Sequence, residues 1–399
     1  MATTKKEKNL GIYLDHNATT PVDPQVLEAM LPYLQWNFGN ASSIHSFGVE
    51  ARYGVEKARS QVAKALNTEM ENIVFTGCGS ESDNIALKGV MRANRDRGKH
   101  LITTTIEHKA IMESAKSLEA EGFEVTYIGV DREGRVAPAA VERAIRKDTV
   151  LVSIMFANNE VGTIEPIEEV ARITKKKGVI FHTDAVQAFG RIQLDVEKLG
   201  VDLLSASAHK LYGPKGVGAL YVRPGIKVHG IIEGGSQEKG LRAGTENVAG
   251  IVGFGKAIQI AAKAMDEEAQ RLSKLRDRLH KGLVEKIKDL CLNGHPTERL
   301  PGTLNLGIKG ISGQRLVLAL NERGVAISAG SACTSHGTAL SHVLVGMGIE
   351  KEVAAGSIRM SLGRGTTEED IKFCLKVIPE AVEELRKLPP EKGLEGEPC

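Results

Sequence analysis

The chain has 399 residues, with 52 Lys and Arg against 50 Asp and Glu; that length accommodates one large domain plus a smaller one, and so even a charge balance sets up no field favouring nucleic acid. The five cysteines, Cys78, Cys291, Cys333, Cys374 and Cys399, are scattered with no CxxC, which argues against a disulfide framework or a zinc knuckle and suits a reducing cytoplasm. No signal-like apolar start and no apolar run near about 18 residues is read in the chain, so a soluble, cytoplasmic protein without a membrane segment is expected.

The KKEK near the start reads as a solvated tail. Short β-rich runs then alternate with helical patterns. NIVFT (72–76) precedes a helix over 81–97, and HLITTT leads to a helix over 109–121. EVTYIGV, TVLVSIMF, GVIFHTD, VDLLSAS and GALYVR follow, with helical segments between most of them. This alternation predicts an α/β fold with a mostly parallel sheet covered on both faces. GGSQEKGLRAGTEN (234–247) is rich in glycine and charge and reads as a functional loop or a boundary. A long amphipathic helix is expected over 248–287, and the strand, helix and strand patterns after Leu292 predict a separate, smaller α+β domain. The expected division is a large domain over 13–250 and a small C-terminal one over 251–385, with the segment 1–20 packing nearby. The end, 386–399, reads as a flexible tail.

The most informative stretch is SASAHKLYGPKGVGALYV (205–222), which sets Lys210 between an apolar strand and a glycine-punctuated turn into another strand. Upstream, after another apolar strand, FHTDAVQ carries Asp184 and Gln187. An acid at the end of one strand and a lysine just past the next is what pyridoxal phosphate chemistry needs. The amine forms a Schiff base with the aldehyde, and the acid keeps the pyridinium nitrogen protonated so that the ring accepts electrons. In α/β sheets ligands sit outside the carboxyl ends of the strands, where both residues fall.

Other residues belong to the same rim. The turn GCGSE (77–81) lies between a strand and a helix, so its N–H groups and Ser80 can hold a phosphate, although many such turns carry Gly and Ser for geometry alone. Neither GK[ST] nor GxGxxG is present there, which disfavours a nucleoside triphosphate or a dinucleotide. Ser205, Ser207 and His209 add phosphate donors beside Lys210. A lone histidine is more often structural, but His108 follows the strand LITTT, where an imidazole can stack on a cofactor ring and shuttle protons. Asn159, in FANNEVGT, either builds a turn or bonds a ring oxygen or a substrate carboxylate. Cys333 lies in SAGSACTS, a small, polar run unlike a core strand, and reads as a reactive thiol, with Cys78 a bystander in the phosphate turn. Arg359, in GSIRMSLGRGTTEED, is the fork for an α-carboxylate, with Arg364 as second choice.

Taken together the motifs resemble a family: the class V, fold-type I pyridoxal phosphate enzymes, and within them the cysteine desulfurases of the NifS/IscS group. The resemblance runs through YLDHNATTPVDP, FGNASSIHSFG, TGCGSESDN, TTIEHKAI, FANNEVGTIEPI, FHTDAVQ, SAHKLYGPKGVGALYVR, RAGTEN, SAGSACTS and SIRMSLGR, nearly the whole chain. It implies that Lys210 forms the bond to the cofactor and acts as the base on Cα, that Asp184 pairs with the pyridinium, that His108 stacks on the ring and that Gln187 bonds its phenolic oxygen. Gly79, Ser80, Ser207 and His209 would bind the phosphate, with Thr245 reaching in from the neighbouring subunit of a homodimer. Asn159, beside the cofactor, and Arg359 would hold the carboxylate of L-cysteine. Cys333 would become a persulfide, and would serve as a transient iron–sulfur ligand. The acceptor would be an iron–sulfur scaffold protein or a tRNA-thiolation carrier.

Two departures stand out. Gly79-Ser80 replaces the family's usual Ala-Thr, and HGTALSHV follows the cysteine segment in place of SLEPSHV. A selenocysteine lyase and a class V aminotransferase are the alternative activities. An aminotransferase has no use for the thiol of Cys333, and a non-catalytic persulfide carrier has no use for Lys210 and Asp184.

Overall fold

Neighbouring residues on the central strands are apolar and point to opposite faces, because side chains alternate along a strand. Phe75, Ile102, Val152, Phe181 and Leu204 face one core. Their immediate predecessors Val74, Leu101, Leu151, Ile180 and Leu203 face another. A sheet with two dry faces follows, as the sequence pattern predicts. The computed structural model describes residues 11–330 and 340–388; Cys333, Cys399, the KKEK segment and the tail from 389 onward lie outside them.

In chain order the strands are β1 (Ile12–Tyr13), β2 (Ile73–Thr76), β3 (His100–Thr104), β4 (Glu124–Ile128), β5 (Thr149–Ser153), β6 (Ile180–Asp184), β7 (Leu203–Ser207), β8 (Gly218–Val222), β9 (Leu290–Asn293), β10 (Thr303–Ile308), β11 (Val325–Ala326) and β12 (Ser357–Ser361). The helices that matter for the site are α1 (Pro24–Gln35), α2 (Ser46–Leu66), α3 (Gly79–Asn84), α4 (Lys109–Ala120), α5 (Val248–Lys286) and α6 (Glu368–Arg386). The large sheet has seven strands in the order β2-β8-β7-β6-β5-β3-β4. Only β8 runs against its neighbours. The carboxyl ends of β2, β3, β5, β6 and β7 therefore share one rim.

A three-stranded antiparallel sheet, β12-β10-β9, forms the second unit. Its core combines Leu304, Leu306, Ile358 and Met360 with Ile371, Ile378 and Val382 of α6. The N-terminal strand β1 pairs with β11, and Leu14 is buried in this same core. Helix α5 has 39 residues. Its first half places Phe254 and Ile258 in the large-sheet core, while Leu272, Leu279 and Leu283 of its second half enter the small one. One rigid rod thus joins the two units.

Two elements differ from expectation. The helix expected over 81–97 begins at Gly79, passes through a π turn at Ile85–Gly89 and stops at Ala93. It stops because the Asn94 amide donates back to the Val90 carbonyl (2.9 Å) and to the Lys227 carbonyl (3.0 Å), competing with further helical bonds. Helix α5 also carries an 18-residue window of mean hydropathy 1.3, an apolar stretch that the reading of the sequence passed over. Half of that window is buried inside the protein, where Ile251, Phe254, Ile258 and Ala261 pack into the large-sheet core.

Phe254 is fully buried and meets Phe189 edge-on at 6.0 Å and Phe75 at 6.4 Å. Phe254→Ala should destabilise the protein by ~3–5 kcal/mol through lost burial and the cavity left behind. Denaturant titration of the cofactor-free protein checks this, and a change under ~1 kcal/mol would show that the three rings do not hold the two layers together.

Candidate active site

The rim carries a cavity of about 250 Å³. It is lined by Asn17, Cys78, Gly79, Ser80, Asp83, His108, Asn159, Asp184, Gln187, Ser207, His209, Lys210 and Arg359, among others. The sequence-predicted site residues within the described chain line it, except Thr245 and Ser205, whose Oγ is turned to His182 Nε2 (3.0 Å) and is no phosphate donor. Arg364, the second choice for the carboxylate, pairs with Asp23 and Glu268 beside a neighbouring cavity. Thr245 is exposed on the loop before α5, away from the cavity of its own chain. Cys333 lies outside the described residues.

Lys210 sits in the short helical turn after β7. Its Nζ donates to the Asn17 carbonyl (2.6 Å) and the Ala18 carbonyl (2.8 Å). Carbonyl acceptors favour the ammonium, but burial opposes it more strongly and the guanidinia of Arg191 and Arg359 add to that opposition. The result is a pKa lowered from 10.5 to about 7. The amine is thus poised near neutrality.

Asp184 ends β6 and is buried. One carboxylate oxygen accepts from the Val186 amide (2.9 Å). Burial raises its pKa, while His108, the Val186 N–H and Lys210 pull it down. His108 caps α4, and its Nδ1 accepts from the Ala110 amide (3.2 Å), so the proton of the neutral ring rides on Nε2. Burial lowers the pKa of His108 and keeps the ring neutral. His209, beside Lys210, is lowered to about 4, by burial first and the Lys210 charge second. Gln187 is buried and bonds the Asn17 carbonyl through Nε2 (3.1 Å).

At the other end of the cavity α3 opens at Gly79 with no side chain capping its first turn. Its leading N–H groups and the Ser80 hydroxyl are left for an anion. Ser207 Oγ is buried with no hydrogen-bond partner. Gly79 has a packing reason: a Cβ there would lie 2.7 Å from Val186 Cγ2. These features fit pyridoxal phosphate, with an orphaned hydroxyl and an uncapped helix for the phosphate, a buried carboxylate for the ring nitrogen and a near-neutral amine for the aldehyde. Cys78, read as a bystander, does line the cavity wall.

Several residues of the site escaped the sequence reading. Arg191 is half-buried; its guanidinium donates to Asn17 Oδ1 (2.6 Å), Gln187 Oε1 (3.1 Å) and the carbonyls of His16 (3.1 Å) and Lys210 (3.3 Å). Asp83 is buried beside Asp184, and burial together with the Asp184 charge raises its pKa well above the carboxylate range. Its Oδ1, the His108 ring and the Asp184 carboxylate lie within 4.8 Å of one another. Asn17 bridges the Asn159 carbonyl (3.1 Å) and Thr303 Oγ1 (3.0 Å). Asn17 and Asp83 stand inside the motifs YLDHNATT and TGCGSESDN, and the four-residue spacing of Gln187 and Arg191 was a usable signal.

A family model described as Aminotransferase class-V matches residues 12–373. The chain is 51% identical over 383 residues to the cysteine desulfurase IscS of Methanosarcina thermophila, covering 96% of this chain and 95% of that protein. It is likewise 51% identical to the cysteine desulfurase IscS of Dictyoglomus turgidum over 381 residues, 96% of this chain and 97% of that one. Among solved structures, a NifS-like protein superposes with a TM-score of 0.89 at 43% identity, over 94% of this chain and all of that one.

The lysine gives a pH test. In cofactor-free protein, labelling of Lys210 by an amine-directed reagent, followed by peptide mass spectrometry, should show a midpoint near pH 7. Below it the ammonium is unreactive, and above it the free amine reacts. Arg191→Gln should move the midpoint upward, because a cation that disfavours the ammonium is gone. A wild-type midpoint near the ordinary 10.5 would refute the burial argument.

Proposed function

The chain belongs to the class-V aminotransferase family, and from that premise we propose that it is a pyridoxal phosphate-dependent cysteine desulfurase, which passes the sulfur of L-cysteine to Cys333 as a persulfide and releases L-alanine. The observation that carries the reading is the convergence of Lys210, Asp184 and Arg359 on one cavity. A near-neutral amine, a buried acid and a carboxylate-binding fork are what amino-acid chemistry on this cofactor requires, and the desulfurase relatives direct it to cysteine.

When bound, pyridoxal phosphate supplies an electron sink that makes the Cα–H of the amino acid acidic. The α3 amides, Ser80, Ser207 and His209 would bind its phosphate, Gln187 its phenolic oxygen and Asp184 its ring nitrogen, with His108 beside the ring. Arg359 and Asn159 orient the α-carboxylate. Lys210, whose pKa is about 7, accepts the Cα proton and returns it. The Cys333 thiolate then forms an S–S bond to the substrate sulfur as the Cβ–S bond breaks. The electron pair of that bond stays with the three-carbon fragment, which takes up protons and leaves as alanine.

The working unit is a homodimer. Leu27, Leu34, Trp36, Phe38, Phe47 and Tyr53, on α1, α2 and the link between them, are large apolar side chains left exposed, which suits an interface between copies. Thr245, exposed on the loop before α5, serves the neighbouring subunit's phosphate. The sulfur acceptor is an iron–sulfur scaffold protein or a thiolation carrier in the cytoplasm, with Cys333 a transient ligand at the moment of transfer.

Cys333→Ser should keep the visible chromophore and its response to cysteine but lose alanine formation, since a serine oxygen is too weakly acidic to attack sulfur. Mass spectrometry after brief incubation with cysteine should place one added sulfur on the wild-type Cys333 peptide; an adduct on Cys78 or Cys399 instead would overturn the nucleophile.

Asp184→Asn should slow turnover by orders of magnitude and alter the visible spectrum, because a neutral amide does not stabilise a protonated ring nitrogen. Near-wild-type kcat in this variant would remove Asp184 from its role.

A further inference from the structure

Arg359 lies on β12 and is 1% exposed. Its Nη2 donates to Asp15 Oδ1 (2.7 Å) and its Nη1 to the Asn159 carbonyl (3.0 Å). Its Nε is buried and has no partner. Asp15 belongs to the segment between β1 and α1, whose backbone is laced to β12. The Ser361 amide donates to the Leu14 carbonyl (2.7 Å) and the His16 amide to the Ser361 carbonyl (3.2 Å). The Tyr13 hydroxyl donates to the Asp15 carbonyl (3.0 Å). Asp15 does not line the cavity; Arg359 does.

A guanidinium is a flat fork of five N–H groups. One acceptor on one nitrogen leaves the plane free to turn about the side chain. A second, charged acceptor on the other terminal nitrogen fixes the plane and so fixes where the remaining N–H edge points. Here the Asn159 carbonyl and the Asp15 carboxylate take one N–H each, and three N–H groups, the unpartnered Nε–H among them, remain for an anion. Asp15 also balances the charge of the buried Arg359 in a pocket that must still accept a ring, a phosphate and a carboxylate.

We propose that Asp15 is the positioning residue of the substrate-carboxylate fork: it sets the plane of Arg359 and thereby the preference for amino acids that carry a free α-carboxylate. The inference rests on the reading that Arg359 receives that carboxylate. It gives the N-terminal YLDHNATT motif a job at the substrate end of the site, distinct from the hold that Asn17 and Ala18 have on Lys210.

The test compares two ligands that differ only in the carboxylate. Cofactor-loaded protein is titrated with L-alanine and with L-alaninamide, followed by visible absorbance at equilibrium, alongside KM and kcat for L-cysteine. In Asp15→Ala the Kd for L-alanine and the KM for L-cysteine should rise about tenfold, the loss of one well-aimed charged hydrogen bond, while the Kd for L-alaninamide and kcat stay within about twofold. Asp15→Asn, which keeps an acceptor in place, should recover most of the alanine affinity. Asp15→Ser withdraws the acceptor from reach while keeping a small polar side chain, and gives the same prediction as Asp15→Ala should that variant not fold. Equal weakening of both ligands would mark a purely structural role and overturn the proposal. Tighter alanine binding would make Asp15 a competitor of the substrate and overturn it too. Arg359→Ala is the control. If it loses the preference for alanine over the amide while Asp15→Ala and Asp15→Ser keep it, this inference alone falls. If Arg359→Ala itself keeps the preference, the carboxylate assignment falls and takes the inference with it.

Discussion

Uncompensated positive charge in a dry pocket governs this site. Arg191 is half-buried, and its hydrogen-bond partners are all neutral: two carbonyls and two side-chain amide oxygens. A cation held this way keeps its charge but is strained by desolvation, and its pKa is lowered to about 10, still charged at neutral pH. It cannot be silent towards its neighbours. Lys210 sits next to it and must choose between a second charge and neutrality. The shift to about 7 is the outcome. The same field makes the cavity hospitable to anions, which suits a phosphorylated cofactor and a substrate carboxylate at once.

The opposite wall is acidic. Asp184, Asp83 and Glu107 are all buried, and burial raises the pKa of each. Three ionised carboxylates that close cannot coexist in a low dielectric, so the protein keeps charge where it is best supported. Asp184 is the member favoured for ionisation, because His108, the Val186 amide and Lys210 all draw its pKa down. Glu107 is occupied with structure, accepting from Thr104 Oγ1 (2.8 Å) and the Met155 amide (3.0 Å). A cavity with cations at one pole and a single preferred anion at the other orients its occupant. Under the proposed function, the ring nitrogen goes to Asp184 and the carboxylate to Arg359.

The fold was legible because the sheet is buried on both faces, so every central strand announces itself as an apolar run. The rim residues were legible for a related reason: a strand that ends in Asp184, and another followed by Lys210, break that apolar rule at a predictable place. Asp15, Asn17 and Arg191 were harder to see. They act through backbone carbonyls and amides on segments distant in sequence, such as Asn17 with Gln187, Lys210 and Asn159, and no local pattern encodes such pairings. The π turn after α3 was hidden as well, since GSESDNIALKG has ordinary helical chemistry. The apolar window of α5 shows the converse, a run whose apolar residues are there to pack against the large-sheet core.

The segment carrying Cys333 is bounded by anchors that belong to the site. On one side Ser328 pairs with Arg359 through both backbone bonds, at 3.1 and 2.7 Å. On the other, Ser341 Oγ donates to Glu160 (2.6 Å) and His342 Nε2 bonds the Glu107 carbonyl (2.9 Å). The first anchor is fixed to the strand that bears the carboxylate fork, and the second to the loops that follow β3 and β5. Cys333 is three residues from Gly330, a span that covalent geometry limits to ~10 Å of chain. Arg359 and Ser328 thus share one frame, built on β12 and the N-terminal segment laid against it.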